Sequence, residues 1–332
     1  MTLASLPTHL TDKIAQPVVF PLGVSADDGT PIEVADGVRM LLPADADRYA
    51  LRRASYVRRI LRWSVASPKT VVSHTAAAAL HGLPADAVCR LVLHDTRPGP
   101  GGSKRTFYLW RHSARLANDE ILDVGPIRLT TVVRTIVDIA KCEEAWRAVA
   151  IADAALHRKL LTPDDLDAGL GRIAGQPGSA AARAALALAD GRAESVGESR
   201  MRVALHATGL PEMELQFDVR DRFGAFIGRV DAGYPARAVA LEFDGEIKYG
   251  TLLKPGQTRD DVLREQHQRE DALVVAGFVV VRVRWADLDE PPALAGRIRE
   301  ALAQGDLHVR DGLFTAQCRR QLPARRDTGA GF

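Results

Sequence analysis

The sequence predicts an α/β protein of two domains, and three observations carry this. Apolar residues recur by turns at the helical and the strand period along the chain. A Gly- and Ala-rich stretch over 169–193 holds one connecting helix and separates a first domain, 1–168, from a second, 194–310. Within the second, the order runs helix, three strands, helix, strand. At 332 residues the chain is long enough for two ordinary domains.

Composition narrows the class by exclusion. The 44 Lys+Arg against 42 Asp+Glu give a net charge of +2, which excludes a polybasic protein but not local basic patches. Cys89, Cys142 and Cys318 are odd in number, far apart and without CxxC spacing, against both a disulfide framework and a Cys-ligated zinc site. A reducing cytoplasm suits them. The opening MTLASLPTHLTDK has no basic flank followed by an apolar core, and no apolar run approaches the ~20 residues of a membrane helix, so a cytoplasmic protein is expected.

The elements follow in order. The first 40 or so residues, with Pro and Gly at close intervals, read as short strands or loops. From Asp45 to about Ser64 a helix is predicted, because Ala50, Ala54, Val57 and Leu61 share one face. Arg48, Arg52, Arg59 and Arg62 lie mainly on another, a stripe suited to phosphate contact or to a solvated surface. Ser73 then caps a short helix closed by Gly82 and Pro84. His74 and His81, seven apart, fit packing better than metal ligation.

Strand-like CRLVLHD and KRTFYLWRH come next, then IRLTTVVRTIVDIAK, a strand running into a helix capped by Thr130 or Thr131. EEAWRAVAIADAALHRKL is helical, and a further helix starts at Thr162 with Pro163 in its first turn. In the second domain ESVGESRMRVALHAT is a helix ended by Gly209 and Pro211. LQFDVRD, FIGRVDAGY and AVALEFDGEIKY are strands, TRDDVLREQHQREDALVVAG is a helix ended by Gly277, and FVVVRVRW is a buried strand. The tail 323–332 is expected to be disordered.

The hairpin between the second and third of these strands turns at Pro235-Ala236-Arg237-Ala238, and a two- or a four-residue loop gives the same register. Ala232 then faces Leu241, Val230 faces Phe243, Asp231 faces Glu242 and Arg229 faces Asp244. Alternation puts Val230, Ala232, Leu241 and Phe243 on an apolar face and Arg229, Asp231, Glu242 and Asp244 on a polar one. Opposed carboxylates about 5 Å apart repel unless compensated. A bound Mg²⁺ or Mn²⁺ compensates them and activates water for phosphodiester hydrolysis. A solvated polar face, with Arg229 paired to Asp244, is the competing account.

Glu198, Asp231 and Glu242-Phe243-Asp244-Gly245 together resemble the motif set of the PD-(D/E)XK nuclease superfamily, and more closely its bacterial very-short-patch-repair-like endonuclease domains. The resemblance runs through GESRMRVAL, RVDAGY, ALEFDGEIKY, REQHQREDALVVAG and VVVRVRWADL, about 100 residues. It implies a restriction-endonuclease-like αβββαβ core with a mixed sheet, and DNA cleavage with Mg²⁺ or Mn²⁺. Asp231 and Glu242 would be metal ligands with Asp244 beside them. Glu198, just before the apolar helical run, would complete the site in preference to Glu194. The superfamily's Lys normally stands two residues after the Glu, where this chain has Asp244; Lys248 would take over that role. Arg264, His267 and Arg269 on the next helix would contact the DNA backbone, as would Arg52 and Arg59 in the first domain.

VVSHTAAAALHGLP and IRLTTVVRTIVDIA are similar to segments of the abortive-infection type IV antitoxin family, over about residues 65 to 160. That resemblance implies DNA binding, autoregulation and a cognate toxin as partner. Three readings therefore stand: a metal-dependent endonuclease, a non-catalytic DNA-binding regulator of the antitoxin kind, and a protein-contact module whose acidic face is merely solvated. The carboxylates favour the first, and the displaced Lys favours the second.

Overall fold

The computed structural model describes residues 18–21, 29–35, 38–43, 48–89, 91–244 and 259–320. It has an α/β fold in two compact units, Met1–Gly191 and Arg192–Phe332. Among the described residues no helix is long and apolar enough to cross a membrane.

The first unit opens with β1 (Val18–Pro21), β2 (Gly29–Ala35) and β3 (Val38–Pro43), a three-stranded sheet in the order β1-β3-β2. Helix α1 (Arg48–Ala66) follows, burying Ala54, Tyr56, Val57, Ile60 and Leu61 and leaving Arg52 and Arg59 exposed. Then come β4 (Val71–Val72), α2 (His74–Leu80), α3 (Ala85–Val88), β5 (Leu93–Pro98), β6 (Lys104–Arg105), β7 (Leu109–Ala114), β8 (Ile121–Val124) and β9 (Ile127–Thr130). These strands form a second sheet in the order β6-β7-β5-β4-β9-β8.

Helices α4 (Val132–Ala140), α5 (Ala145–His157), α6 (Pro163–Arg172) and α7 (Ser179–Leu186) complete the unit. Thr131, not Thr130, caps α4 by accepting from the Arg134 amide. Thr162 and Asp165 cap α6 reciprocally, with Pro163 at its first position. The Ala-rich helix α7 buries Ala182, Ala185 and Leu186 and belongs to this unit, so the stretch read as a connection is part of the first core.

The second unit runs α8 (Val196–His206), β10 (Glu214–Arg220), β11 (Phe226–Tyr234), β12 (Val239–Asp244), α9 (Arg259–Val275), β13 (Val279–Arg284), α10 (Pro291–Arg310) and β14 (Gln317–Arg320). The first six elements stand in the predicted order; α10 and β14 extend it beyond what the sequence pattern had suggested. The sheet is mixed, in the order β13-β12-β11-β10-β14, with β12 and β13 parallel across the α9 crossover. Met201 and Leu205 of α8 and Leu294, Ile298 and Leu302 of α10 pack on one face, against Leu215, Ala232, Leu241 and Val283. Leu273 of α9 packs on the other, with Phe217, Val230, Ala240 and Phe278. Gly277, at φ +95°, ends α9. Its amide reaches Val274 and the Phe278 amide reaches Leu273, which satisfies the last carbonyls.

The expected hairpin register holds at Ala232↔Leu241, Gly233↔Ala240 and Tyr234↔Val239. The expected faces hold in part, since Ala232, Leu241 and Phe243 share one core but Val230 leaves it. Ala232 and Val230 lie in opposite cores, where strict alternation would have put them together. Leu215 and Phe217 of β10 divide in the same way, and between them Gln216 takes a left-handed backbone at φ +48°. That conformation is sparsely allowed for a side-chain-bearing residue, and it breaks the pleat where Asp231 sits on the neighbouring strand.

Candidate active site

The break in the pleat and the end of β12 together make a cleft of about 100 Å³. Asp231, Glu242 and Asp244 line it together with Arg269, Glu270 and Arg282. The parallel register places Glu242 beside Arg282 and Asp244 beside Arg284, so β12 and β13 deliver acid and base to the same edge. Asp231 arrives from β11, and its Oδ2 accepts the Phe243 amide at 3.1 Å. The described ladder ends at Ala232↔Leu241, and at the next position a site carboxylate accepts a β12 amide.

The N-terminal turn of α8 stands close behind. Ser195 caps it, accepting the Glu198 amide at 3.1 Å. Gly197 lies so close to the Phe243 ring that a Cβ there would collide with it. This approach buries Glu198, whose Oε2 accepts from Gln216 Nε2 at 2.9 Å and from the Glu194 amide at 3.0 Å. Glu198 thus helps hold the helix entry and the Gln216 kink. It acts on the cleft through its charge on Asp231 and does not line it.

Electrostatics set the cleft apart from an ordinary polar face. Burial, then the neighbouring Glu198 carboxylate, raises Asp231 to about 6. Burial, then Asp231, raises Glu242 to about 7. Glu242 Oε2 is held by Arg269 Nη2 at 2.6 Å, while its Oε1 is buried with no hydrogen-bond partner. An unsatisfied buried carboxylate oxygen is costly, and a divalent cation accepted by oxygen donors is one group that satisfies it. The donor set is all carboxylate, which fits a hard ion such as Mg²⁺ or Mn²⁺.

The other predicted residues fall as follows. Asp244 lines the cleft and stands 3.9 Å from Arg284. Arg229 pairs with Glu194 at 2.7 Å and not with Asp244. Arg264 and His267 are exposed on α9, whereas Arg269 on the same helix is drawn into the cleft by Glu242. Arg52 and Arg59 are exposed in the other unit. Lys248 lies outside the described residues. Sequence reasoning missed the ion pair of Arg282 with Glu270, and it missed Gln216. The one signal for Gln216 was an amide side chain between Leu215 and Phe217 in a strand otherwise fit for burial.

The chain is 33% identical over 169 residues to uncharacterized proteins of two strains of Mycobacterium tuberculosis. The match covers 51% of this chain and 59% of theirs, so the chain spans little more than half the length of these relatives. No family model matches the chain. No solved structure matches it significantly.

Proposed function

We propose that the second unit is a divalent-metal-dependent endonuclease domain of the PD-(D/E)XK kind that hydrolyses DNA phosphodiester bonds. The observation that carries this is the cleft: Asp231 and Glu242, both held above the usual carboxylate range, converge beside Asp244 with Glu242 Oε1 buried and unsatisfied. Asp231 and Glu242 would hold the ion, with Asp244 in the same lining as a further oxygen donor. The chemistry that Mg²⁺ or Mn²⁺ would supply there is polarisation of a phosphate oxygen and a lowered pKa for the attacking water. Arg269 and Arg282 keep positive charge at the cleft where a phosphate enters.

A second reading has its own support. Arg269 already pairs with one oxygen of Glu242, and Asp244 stands where the superfamily has its Lys. A regulator of the type IV antitoxin kind, with a cognate toxin and no cleavage, would have this character.

The deciding experiment incubates the full chain with plasmid and short duplex DNA and Mg²⁺ or Mn²⁺, alongside Asp231→Ala and Glu242→Ala. Metal-dependent cutting lost in both variants supports the nuclease. Binding without cutting, equal in all three proteins, supports the regulator.

A further inference from the structure

The first unit holds a cluster of imidazoles that neither the nuclease nor the regulator reading uses. His94 lies on β5 and His112 on β7, one parallel step apart, since His94 pairs with Trp110 and Thr96 with His112. His74 begins α2 and closes on both: its ring stacks on His112 with centroids 3.6 Å apart and lies 5.5 Å from His94. A ring nitrogen of each histidine lies within 4.8 Å of the other two. His81, the histidine that shares the helix face with His74, is elsewhere: its Nε2 donates to the Thr130 carbonyl at 2.8 Å.

We propose that His74, His94 and His112 form a three-histidine site for Zn²⁺, with water as the fourth ligand. His94 Nδ1 and His112 Nε2 stand 3.1 Å apart. Two nitrogens on one tetrahedral zinc, each at 2.0–2.1 Å, stand about 3.3 Å apart, so this pair needs little adjustment to share an ion, whereas the His74 ring, stacked at 3.6 Å on His112, swings away from it to join them. His74 Nδ1 lies 2.9 Å from Ser73 Oγ, which also accepts from Thr96 Oγ1 at 2.8 Å. With Nδ1 donating to that hydroxyl, the Nε2 lone pair is left for the metal, the outer contact that metal-bound histidines use to fix their tautomer.

His74 adopts φ +51°, a left-handed backbone that is strained for a side-chain-bearing residue and that clusters at functional sites. His74 and His94 are buried and His112 is partly open, so the cluster keeps one side toward solvent. Burial, joined at His74 and His94 by the neighbouring His112, lowers the pKa of these rings and favours the neutral form that binds metal.

The donor chemistry separates this site from the carboxylate cleft. Three imidazoles favour Zn²⁺ and its d-block neighbours over Mg²⁺, whereas an oxygen-only set also accepts Mg²⁺. The proposal is independent of the nuclease reading, and the test keeps them apart. Full-length protein carrying Asp231→Asn and Glu242→Gln is titrated with Zn²⁺ by calorimetry, and with Co²⁺ by visible absorbance. The expected result is one equivalent of Zn²⁺ per chain in this double variant, with tetrahedral Co²⁺ bands that Zn²⁺ displaces, as it does in the wild type. Adding His112→Asn, at the most open of the three positions, weakens Zn²⁺ binding by roughly tenfold or more. Absence of tetrahedral Co²⁺ bands in the wild type overturns the site whatever the variants do. Zn²⁺ uptake unchanged by His112→Asn in a folded protein, or uptake abolished by the Asp231 and Glu242 substitutions, also overturns it.

Discussion

Arg269 Nη2 donates to Glu242 Oε2 at 2.6 Å, and the opposite oxygen of the same carboxylate, Oε1, is buried with no hydrogen-bond partner. The protein's own cation therefore holds Glu242 from one side and leaves it short of one from the other. Arg269 and a metal ion are competitors for the charge of Glu242 as well as neighbours. Replacement Arg269→Met makes that competition measurable. The metal-free protein is expected to lose about 1 kcal/mol, between the value of an exposed pair and that of a buried one, because Arg269 remains partly open. Mg²⁺ affinity by calorimetry is expected to tighten roughly threefold to tenfold, since about 1 kcal/mol of lost compensation becomes available to the ion. Unchanged affinity would mean that the arginine and the metal do not share the carboxylate.

The same carboxylates set a pH dependence. Asp231 at about 6 and Glu242 at about 7 lie above their ordinary values of 3.8 and 4.5, so between about pH 4 and pH 7 the folded state holds protons that the unfolded state has released. Metal-free stability from these two groups therefore falls as pH rises through that window. The loss is on the order of 1.4 kcal/mol for each tenfold difference in proton affinity between the folded and unfolded states. Metal binding displaces those protons, so Mg²⁺ affinity runs the opposite way, weak at pH 5.5 and strong at pH 8. Calorimetry in buffers of different ionisation heat checks this, with proton release on binding at pH 6 and little at pH 8.

Gly197 is the hinge of the packing that brings Glu198 behind the cleft. A methyl group at this position enters the Phe243 ring, so Gly197→Ala is expected to destabilise the second unit by about 1–3 kcal/mol. Combining it with Phe243→Leu is expected to recover part of that loss, which urea denaturation midpoints of the two variants will report. An Ala variant as stable as the wild type would show that the ring yields without cost.

Arg134 is the corresponding point in the first unit. Its guanidinium is buried, donating to Asp138 Oδ2 and to Glu120 Oε2, each at 2.9 Å, and to the Arg115 carbonyl at 3.2 Å. Arg134→Met leaves two buried carboxylates without their cation and is expected to cost about 3–5 kcal/mol. The triple variant Arg134→Met, Glu120→Gln, Asp138→Asn is expected to be more stable than the single one, measured by denaturant unfolding. A single variant within about 1 kcal/mol of the wild type would mean that water or rearrangement replaces the arginine.

Much of the second unit was legible because its signals are local. The Ser195 cap, the Gly277 stop, the alternation in β11 and β12 and the turn at Pro235 each act over a few residues. They fixed the element order and the pairing of Ala232 with Leu241. Helix α10 escaped because its buried positions, Leu294, Ala295, Ile298, Ala301 and Leu302, alternate with Gly, Arg and Gln in a pattern of weak contrast. The polar face of the hairpin was half legible. Glu242 and Asp244 share it as expected, but the route of Asp231 into the cleft passes through the kink at Gln216, and a pattern of period two carries no sign of a left-handed residue.

By itself, the sequence determined the α/β class, the order of elements around the acidic motif and the pairing register of the hairpin, because caps, turns and strand alternation are set by residues within reach along the chain. The tertiary structure alone decided which side chains meet. Val230 and Ala232 divide between two cores because Gln216 breaks the pleat on the strand alongside. Glu242 meets Arg269 because α9 crosses over the sheet between two parallel strands. His74 meets His94 and His112 through a left-handed backbone and the pairing of β5 with β7. These are consequences of distant segments closing on one another, and no local periodicity encodes them.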